Sequence, residues 1–313
     1  MTSFATGTPW TPGSFQFGLV LDWSTIAAGG PDAAAVAGHW LDYAEYLGAN
    51  SVAITFPIQM ESTTSSRVEA GAHTPPPEVL ATVVDEAVTR SLRSTIVPTV
   101  VVGTGGANQD INPGNTDAWF NAYRDLLSEY ATRLERTGLT EFTIGNGLPL
   151  LQKHTMEWAE LLSALEKDFT GQFGYTMNWD TPSSEVPTTA YGINAYPSLN
   201  ASDLSTPNAV ADALADWIKT IPAPIRRSLT IQRTGIAPHS GAFANPSDSS
   251  AAGPTDINVQ VNWIAGIVAA ARKMGLQGVY LEGIDGSGPR SFSGSPSESA
   301  VMSAFGKATA QPS

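Results

Sequence analysis

The chain has no cysteine, which removes disulfides, thiolate nucleophiles and cysteine-held metals from consideration. Histidine is almost as scarce. His39, His73, His154 and His239 are scattered without the spacing of a ligand set, so neither a metal site nor a cofactor is expected. Charged side chains make up 14% of the residues, and 29 acids against 16 bases leave a formal net charge of −13. A field of that sign opposes nucleic acid and anionic membrane surfaces but does not penalise neutral polymers such as polysaccharides. No apolar run reaches bilayer-spanning length, so membrane insertion is not expected. The first residues, Met1-Thr2-Ser3-Phe4-Ala5, lack the basic and apolar regions of a secretory signal. Either a signal is not part of this sequence, or the protein is made in the cytosol, a case that includes virion proteins released by lysis. Abundant Gly, Ser, Thr, Ala and Pro suits an exposed, protease-tolerant place. An extracellular or virion-surface location follows as the expectation, with the cytoplasm left open.

What is present reads as an ordinary globular core, 42% apolar over 313 residues, enough for one large α/β domain. Strand and helix patterns alternate along it. Strands are expected at Phe15–Trp23, Ser51–Phe56, Thr95–Val102, Phe142–Gly145, Phe173–Trp179, Tyr191–Tyr196, Leu229–Gln232 and Gly278–Glu282. Helices are expected at Pro31–Leu47, Pro77–Arg90, Asp117–Thr137, Glu157–Phe169, Asn208–Thr220 and Asn258–Met274. Prolines at the first turns and Gly48 as a stop punctuate them. Long loops are expected at Gln59–Pro77, Gly103–Gly114 and Ala237–Thr255. Eight strands alternating with helices is the count of a single-domain (β/α)8 TIM barrel. An open doubly wound sheet competes, but no phosphate-binding glycine fingerprint follows the first strand. Residues 1–14 read as an arm and 15–285 as the barrel. Residues 286–313 read as a Gly/Ser/Pro-rich tail with a short helix at Glu298–Phe305.

Barrel chemistry sits where strands end. That rule selects Asp22, Trp23, Gln59, Asn146, Gly147, Asn178, Trp179, Asp180, Asn194, Tyr196, Arg233, Glu282 and Asp285. Aromatic faces stack on sugar rings, while amides and carboxylates pair with hydroxyls, so this concentration is suited to carbohydrate.

Several segments then carry a specific resemblance: Ala49-Asn50-Ser51-Val52 leading to Phe56-Pro57-Ile58-Gln59, the helix opening Thr74-Pro75-Pro76-Pro77-Glu78, Ile144-Gly145-Asn146-Gly147-Leu148, Tyr175-Thr176-Met177-Asn178-Trp179-Asp180, and Gly192-Ile193-Asn194-Ala195-Tyr196. In that order the chain resembles glycoside hydrolase family 113, retaining endo-β-mannanases built on a TIM barrel. The resemblance implies an acid/base glutamate at Gly147 and a nucleophilic glutamate at Arg233. A retaining mechanism needs two carboxyls about 5–5.5 Å apart; glycine supplies none, and a guanidinium is neither base nor nucleophile.

The expected reading is thus a barrel without its catalytic pair, serving recognition of a cell-surface polysaccharide through Trp23, Gln59, Asn146, Asn178, Trp179, Asp180, Asn194, Tyr196 and Arg233. A phage tail protein that binds the host, with other virion proteins as partners, is the expected setting. Two alternatives stand beside it. Asp22 with Glu282, or Asp180 with Asp285, could supply a substitute carboxylate pair acting on water. The barrel could also be a scaffold without ligand. Local readings remain open as well: Gly147 as a tight turn, Arg233 as an ion-pair partner of Glu282 or Asp22, Trp23 and Trp179 as caps on the core, and Asn200-Ala201-Ser202 as a chance glycosylation sequon.

Overall fold

A computed structural model describes residues 9–200, 206–250, 253–286 and 288–306. Ala201 and Ser202 of the sequon lie outside them, as do residues 1–8 of the expected arm. Nine strands form one sheet in the order β1-β9-β8-β7-β6-β5-β4-β2-β3, with a further pairing of β1 and β2. The strands are β1 (Gln16–Asp22), β2 (Ser51–Met60), β3 (Val68–Glu69), β4 (Arg93–Val102), β5 (Glu141–Asn146), β6 (Gln172–Asn178), β7 (Ala190–Asn194), β8 (Leu229–Thr234) and β9 (Gly278–Leu281). Leaving out the two-residue β3, which pairs antiparallel with the end of β2, this is the eight-strand order of a (β/α)8 barrel.

The contacts sort into two compact units. One consists of the described residues of Met1–Leu21, His39–Val52 and Ile193–Ser313, and the other of Asp22–Gly38 and Ala53–Gly192.

In the second unit, β4 is buried along its first six residues, as strands covered on both faces are. Helix α3 (Pro77–Thr89) begins at a proline, whose missing N–H costs nothing at a first turn, and buries Leu80, Ala81, Val83, Val84 and Ala87 along one stripe. Helix α4 (Thr116–Leu134) starts where the side chain of Asn115 accepts the backbone N–H of Ala118, a standard N-cap. It buries Trp119, Tyr123, Leu127 and Tyr130. Helix α5 (Thr155–Leu165) adds Trp158, whose ring lies 4.9 Å from that of Phe120 and 5.3 Å from that of Tyr175.

In the first unit, β1 and β9 run parallel with Gln16 opposite Gly278 and Leu19 opposite Leu281. Helices α6 (Pro207–Thr220) and α8 (Ile257–Lys273) are capped by Thr206 and Asp256, whose side chains accept the backbone N–H groups of Ala209 and Asn258. Helix α9 (Ser297–Ala304) lies within a residue of the helix expected in the tail. The Tyr43 hydroxyl donates to Glu298 Oε2 at 2.6 Å, joining α9 to α2 (Ala33–Leu47).

Three local departures have physical causes. The first strand ends at Asp22, and Trp23 opens a short helix α1 (Trp23–Ala28) that buries Trp23 and Ile26 one turn apart. The loop expected from Gln59 is partly ordered, because β2 continues to Met60 and pairs Gln59 with Glu69 and Met60 with Val68. A one-turn helix α7 (Ala223–Arg226) starts after Pro222, again with proline at a helix opening.

Past the end of α3, Ser91 holds a left-handed backbone at φ 58° while its N–H bonds Val88 O and the N–H of Leu92 bonds Ala87 O. That closing turn ordinarily carries glycine. Ser91→Gly is expected to raise stability by about 0.5–1 kcal/mol, the relief of left-handed strain less the added freedom of the unfolded chain. Urea midpoints of the two proteins measure it; an unchanged or lowered midpoint would contradict the account.

Candidate functional site

The expected residues divide between the two compact units. In the first unit, Arg233 is the penultimate residue of β8, and Glu282 directly follows β9. The backbone fixes them: Glu282 N–H bonds Thr234 O at 3.0 Å, Ala195 N–H bonds Arg233 O at 2.8 Å, and the Thr234 hydroxyl donates to Ala195 O at 2.7 Å. On that frame Arg233 Nε–H donates to Glu282 Oε2 at 2.7 Å. The Tyr196 hydroxyl donates to Glu282 Oε1 at 2.8 Å, and Arg290 Nη1 stands 3.3 Å from the same oxygen.

Arg290 reaches further. Its Nη2 donates to the carbonyls of Pro246 and Ser247 in the loop after β8, at 2.8 and 2.6 Å, and its guanidinium lies 4.9 Å from the centre of the Tyr196 ring. At Gly235 an added Cβ would stand 2.8 Å from Glu282 Cγ and 3.3 Å from Arg290 Cδ. The absence of a side chain there is what lets the carboxylate arm lie against the strand.

The Glu282 side chain is 8% exposed and that of Arg290 16%, while Arg233 keeps 30%. Burial first, and the Glu282 carboxylate second, push the Tyr196 phenol well above its ordinary range, against the two guanidiniums. Tyr196 is therefore a neutral hydrogen-bond donor at any ordinary pH. Both oxygens of Glu282 accept from fixed donors. A general base or nucleophile has to present a lone pair to water or to an anomeric carbon; here Oε2 accepts from Arg233 and Oε1 from Tyr196.

In the second unit, Asp22 ends β1 and accepts the hydroxyl of Thr55 on β2. Trp23 beside it is 7% exposed, packed as a cap on the core, with little face left for stacking. Gln59 is exposed on β2, and its side chain occupies the space beside Gly71. Asn146 ends β5 and donates through Nδ2 to the Thr99 hydroxyl on β4 at 3.0 Å.

Gly147 follows with φ +65°, its N–H bonded to Thr176 O at 3.0 Å. A Cβ at Gly147 would stand 3.0 Å from Asn178 Oδ1. The tight-turn reading of this glycine thus describes its backbone. Asn178 ends β6, and the N–H of Thr181 bonds its carbonyl at 3.1 Å. That turn leaves Trp179 partly exposed and Asp180 exposed.

The structure therefore joins Tyr196, Arg233 and Glu282 in one cluster and sets Asn146, Gly147 and Asn178 together at the ends of β5 and β6. Three participants escaped the sequence reading. Thr55 and Thr99 are hydroxyls inside otherwise apolar strands, a signal that was available. Arg290 had none, since it lies in a Gly/Ser/Pro-rich segment read as tail. Among the described residues no group of three or more acidic or histidine side chains is placed to hold a metal ion. No helix among them is long and apolar enough to cross a membrane.

Comparison with known proteins bears on this architecture. The model of Glycoside Hydrolase Family 113 matches residues 21–281. A solved GH113 β-1,4-mannanase aligns with a TM-score of 0.77 at 17% identity, covering 93% of this chain and 99% of that one. The GH113 β-mannanase AaManA from Alicyclobacillus acidocaldarius aligns with a TM-score of 0.72 at 20% identity over 93% and 97% of the two chains. A GH53 catalytic domain from Ignisphaera aggregans follows at 0.58 and 13% identity, over 96% and 98%. These likenesses establish the (β/α)8 fold. No curated protein matches the chain significantly. The family match spans most of the chain, from the end of β1 to the end of β9: the chain belongs to glycoside hydrolase family 113.

Proposed function

We propose that this protein binds a polysaccharide at its strand ends without cleaving it. The observation that carries the reading is the ion pair of Arg233 with Glu282 at 2.7 Å. The cation the sequence places where a nucleophilic carboxylate is expected neutralises the carboxylate best placed to substitute for it. Family membership supports a carbohydrate as the ligand, and the solved relatives named as mannanases support a β-linked polymer. Partly exposed Trp179, with Asn178 before it at the end of β6, supplies an aromatic face and an amide of the kind that sugar rings and hydroxyls require. The setting we propose is a cell-surface glycan bound from outside, in the manner of a host-attachment protein on a virus particle. Support for that setting is compositional, from the abundance of Gly, Ser, Thr, Ala and Pro.

Incubation with β-1,4-mannan and a panel of bacterial polysaccharides is expected to yield no new reducing ends. Affinity electrophoresis is expected to detect binding that Trp179→Ala weakens tenfold or more, about 1.4 kcal/mol. Sustained release of reducing ends, abolished by Asp22→Asn or Glu282→Gln, would restore the hydrolase. Absence of binding to every glycan would leave the scaffold.

A further inference from the structure

The chemical class of the bound sugar is legible on the adjoining ends of β2 and β4, an inference that rests on the carbohydrate reading above. Exposure alternates along both strands. On β2, Thr55 and Pro57 are partly exposed and Gln59 is exposed, while Phe56 and Ile58 between them are buried. On β4, Thr99 is partly exposed and Val101 exposed, with Val100 buried between them. The two strands are neighbours in the sheet, and the N–H of Gly103 bonds Met60 O at 2.8 Å. In a parallel ladder that bond sets Gln59 beside Val101 and Pro57 beside Thr99, each pair on one face. Asn146 of β5 reaches the same face, donating to the Thr99 hydroxyl at 3.0 Å.

Two glycines confine the Gln59 side chain. A Cβ at Gly71 would collide with Gln59 Oε1 and stand 2.9 Å from its Cβ, and a Cβ at Gly103 would lie 3.7 Å from its Nε2. Both glycines are themselves tied down, Gly71 through its N–H on the Thr74 hydroxyl at 2.8 Å and Gly103 on Met60 O. The carboxamide therefore lies between two fixed stretches of backbone while still facing water. Val101 next to it is 49% exposed. Among the described residues, Leu150 and Met156 are the other exposed large hydrophobic side chains, and neither is on a strand.

We propose that Gln59 and Val101, floored by Pro57 and Thr99, form an acetamido-recognising subsite, and that the polysaccharide contains an N-acetylated amino sugar. An acetamido group is a planar amide with one donor and one acceptor, ending in a methyl. A carboxamide both donates and accepts, so it complements either polar end of that group. The methyl laid on the isopropyl group of Val101 takes apolar surface of both out of water. A plain sugar hydroxyl in this place would satisfy the carboxamide and leave the valine wet. Confinement between Gly71 and Gly103 lowers the side-chain entropy that Gln59 loses when a ligand docks. The substituent is uncharged, so the net charge of −13 does not oppose it.

The test titrates N-acetylchitohexaose, cellohexaose and mannohexaose, all β-1,4-linked, into the wild-type chain, Val101→Thr and Gln59→Glu. The first two differ only in carrying an acetamido group or a hydroxyl at the second carbon of each ring. N-acetylchitohexaose is expected to bind about tenfold tighter than either of the others, the worth of one hydrogen bond and one buried methyl. Val101→Thr keeps the shape of the side chain and Gln59→Glu removes its N–H donors, so each should lose about threefold or more of that advantage. Both positions are exposed, so thermal midpoints should stay at the wild-type value. In saturation-transfer NMR on the wild-type protein the acetyl methyl protons should receive the strongest saturation, a readout that needs no variant. Equal affinity for N-acetylchitohexaose and cellohexaose, variants that bind unchanged, or saturation strongest on the ring protons would each overturn the proposal. Binding only of glycans without an acetamido group would do so while leaving the carbohydrate reading intact. Binding of none of the three, nor of any other glycan, would remove both.

Discussion

Glu282→Ala is expected to lower the free energy of unfolding by about 3 kcal/mol or more, the range found when one partner of a buried ion pair is removed. The size follows from what the alanine would leave behind. Arg233 Nε and Arg290 Nη1 lose their shared acceptor, and the Tyr196 hydroxyl loses the partner it reaches at 2.8 Å. Two guanidiniums would then face each other across a site where the removed side chain was 8% exposed. The 30% exposure of Arg233 lets water take up part of its charge and places the estimate at the low end. Arg290 also carries the contacts to Pro246 and Ser247, so the loop after β8 should open with it. Amide exchange through residues 243–248 should rise more than in β4, which lies in the other compact unit. Glu282→Gln retains an acceptor for Tyr196 and should cost about half as much. A loss under about 0.5 kcal/mol for the alanine, the size of an exposed ion pair's contribution, would mean that the carboxylate is spare and available for chemistry.

This node was half visible in the chain. Glu282 ends a predicted strand and Arg233 directly follows one, and the barrel count makes the seventh and eighth strands neighbours, so their pairing could be anticipated from topology. Arg290 could not be, because nothing local distinguishes it. It acquires its role by folding back across a turn that brings its carbonyl within 3.0 Å of Gln260 Nε2 and its side chain under Tyr196. Tyr196 shows the converse. Its residue type suggests a stacking platform, but one face of its ring is taken by Arg290 and its hydroxyl by Glu282.

The barrel itself was legible because buried parallel strands read as apolar runs between Gly and Pro punctuation. Boundaries moved where a side chain found burial beyond the repeat. Trp23 reads as one more strand residue until Ile26 appears a helical turn later, and the pair pulls the chain into α1. Asp22 and Thr55 meet for a reason that periodicity alone does not contain: both lie on neighbouring strands at positions facing the same side.

Placing at Gly147 the glutamate that the family resemblance implies is predicted to destabilise the protein by about 2–4 kcal/mol and to produce no hydrolysis. The backbone there is left-handed at φ +65°, a region that costs a residue with a side chain about 1–2 kcal/mol. The new Cβ would lie 3.0 Å from Asn178 Oδ1, and relieving such overpacking costs a further 1–3 kcal/mol or thereabouts. Moving the backbone out of the left-handed region would disturb the N–H of Gly147 on Thr176 O, which ties the end of β5 to β6. A glutamate at this position therefore meets a backbone conformation and a neighbour that suit glycine. Adding Arg233→Glu to Gly147→Glu should not rescue turnover either. The second carboxylate would replace the cation 2.7 Å from Glu282 with a like charge, which forces one of the two to take up a proton. The double variant should therefore unfold at lower urea than the single one, with any gain in stability below neutral pH, where that proton is supplied. Measurable release of reducing ends from β-1,4-mannan by Gly147→Glu and Arg233→Glu together, at wild-type stability, would contradict this account of the Gly147 backbone.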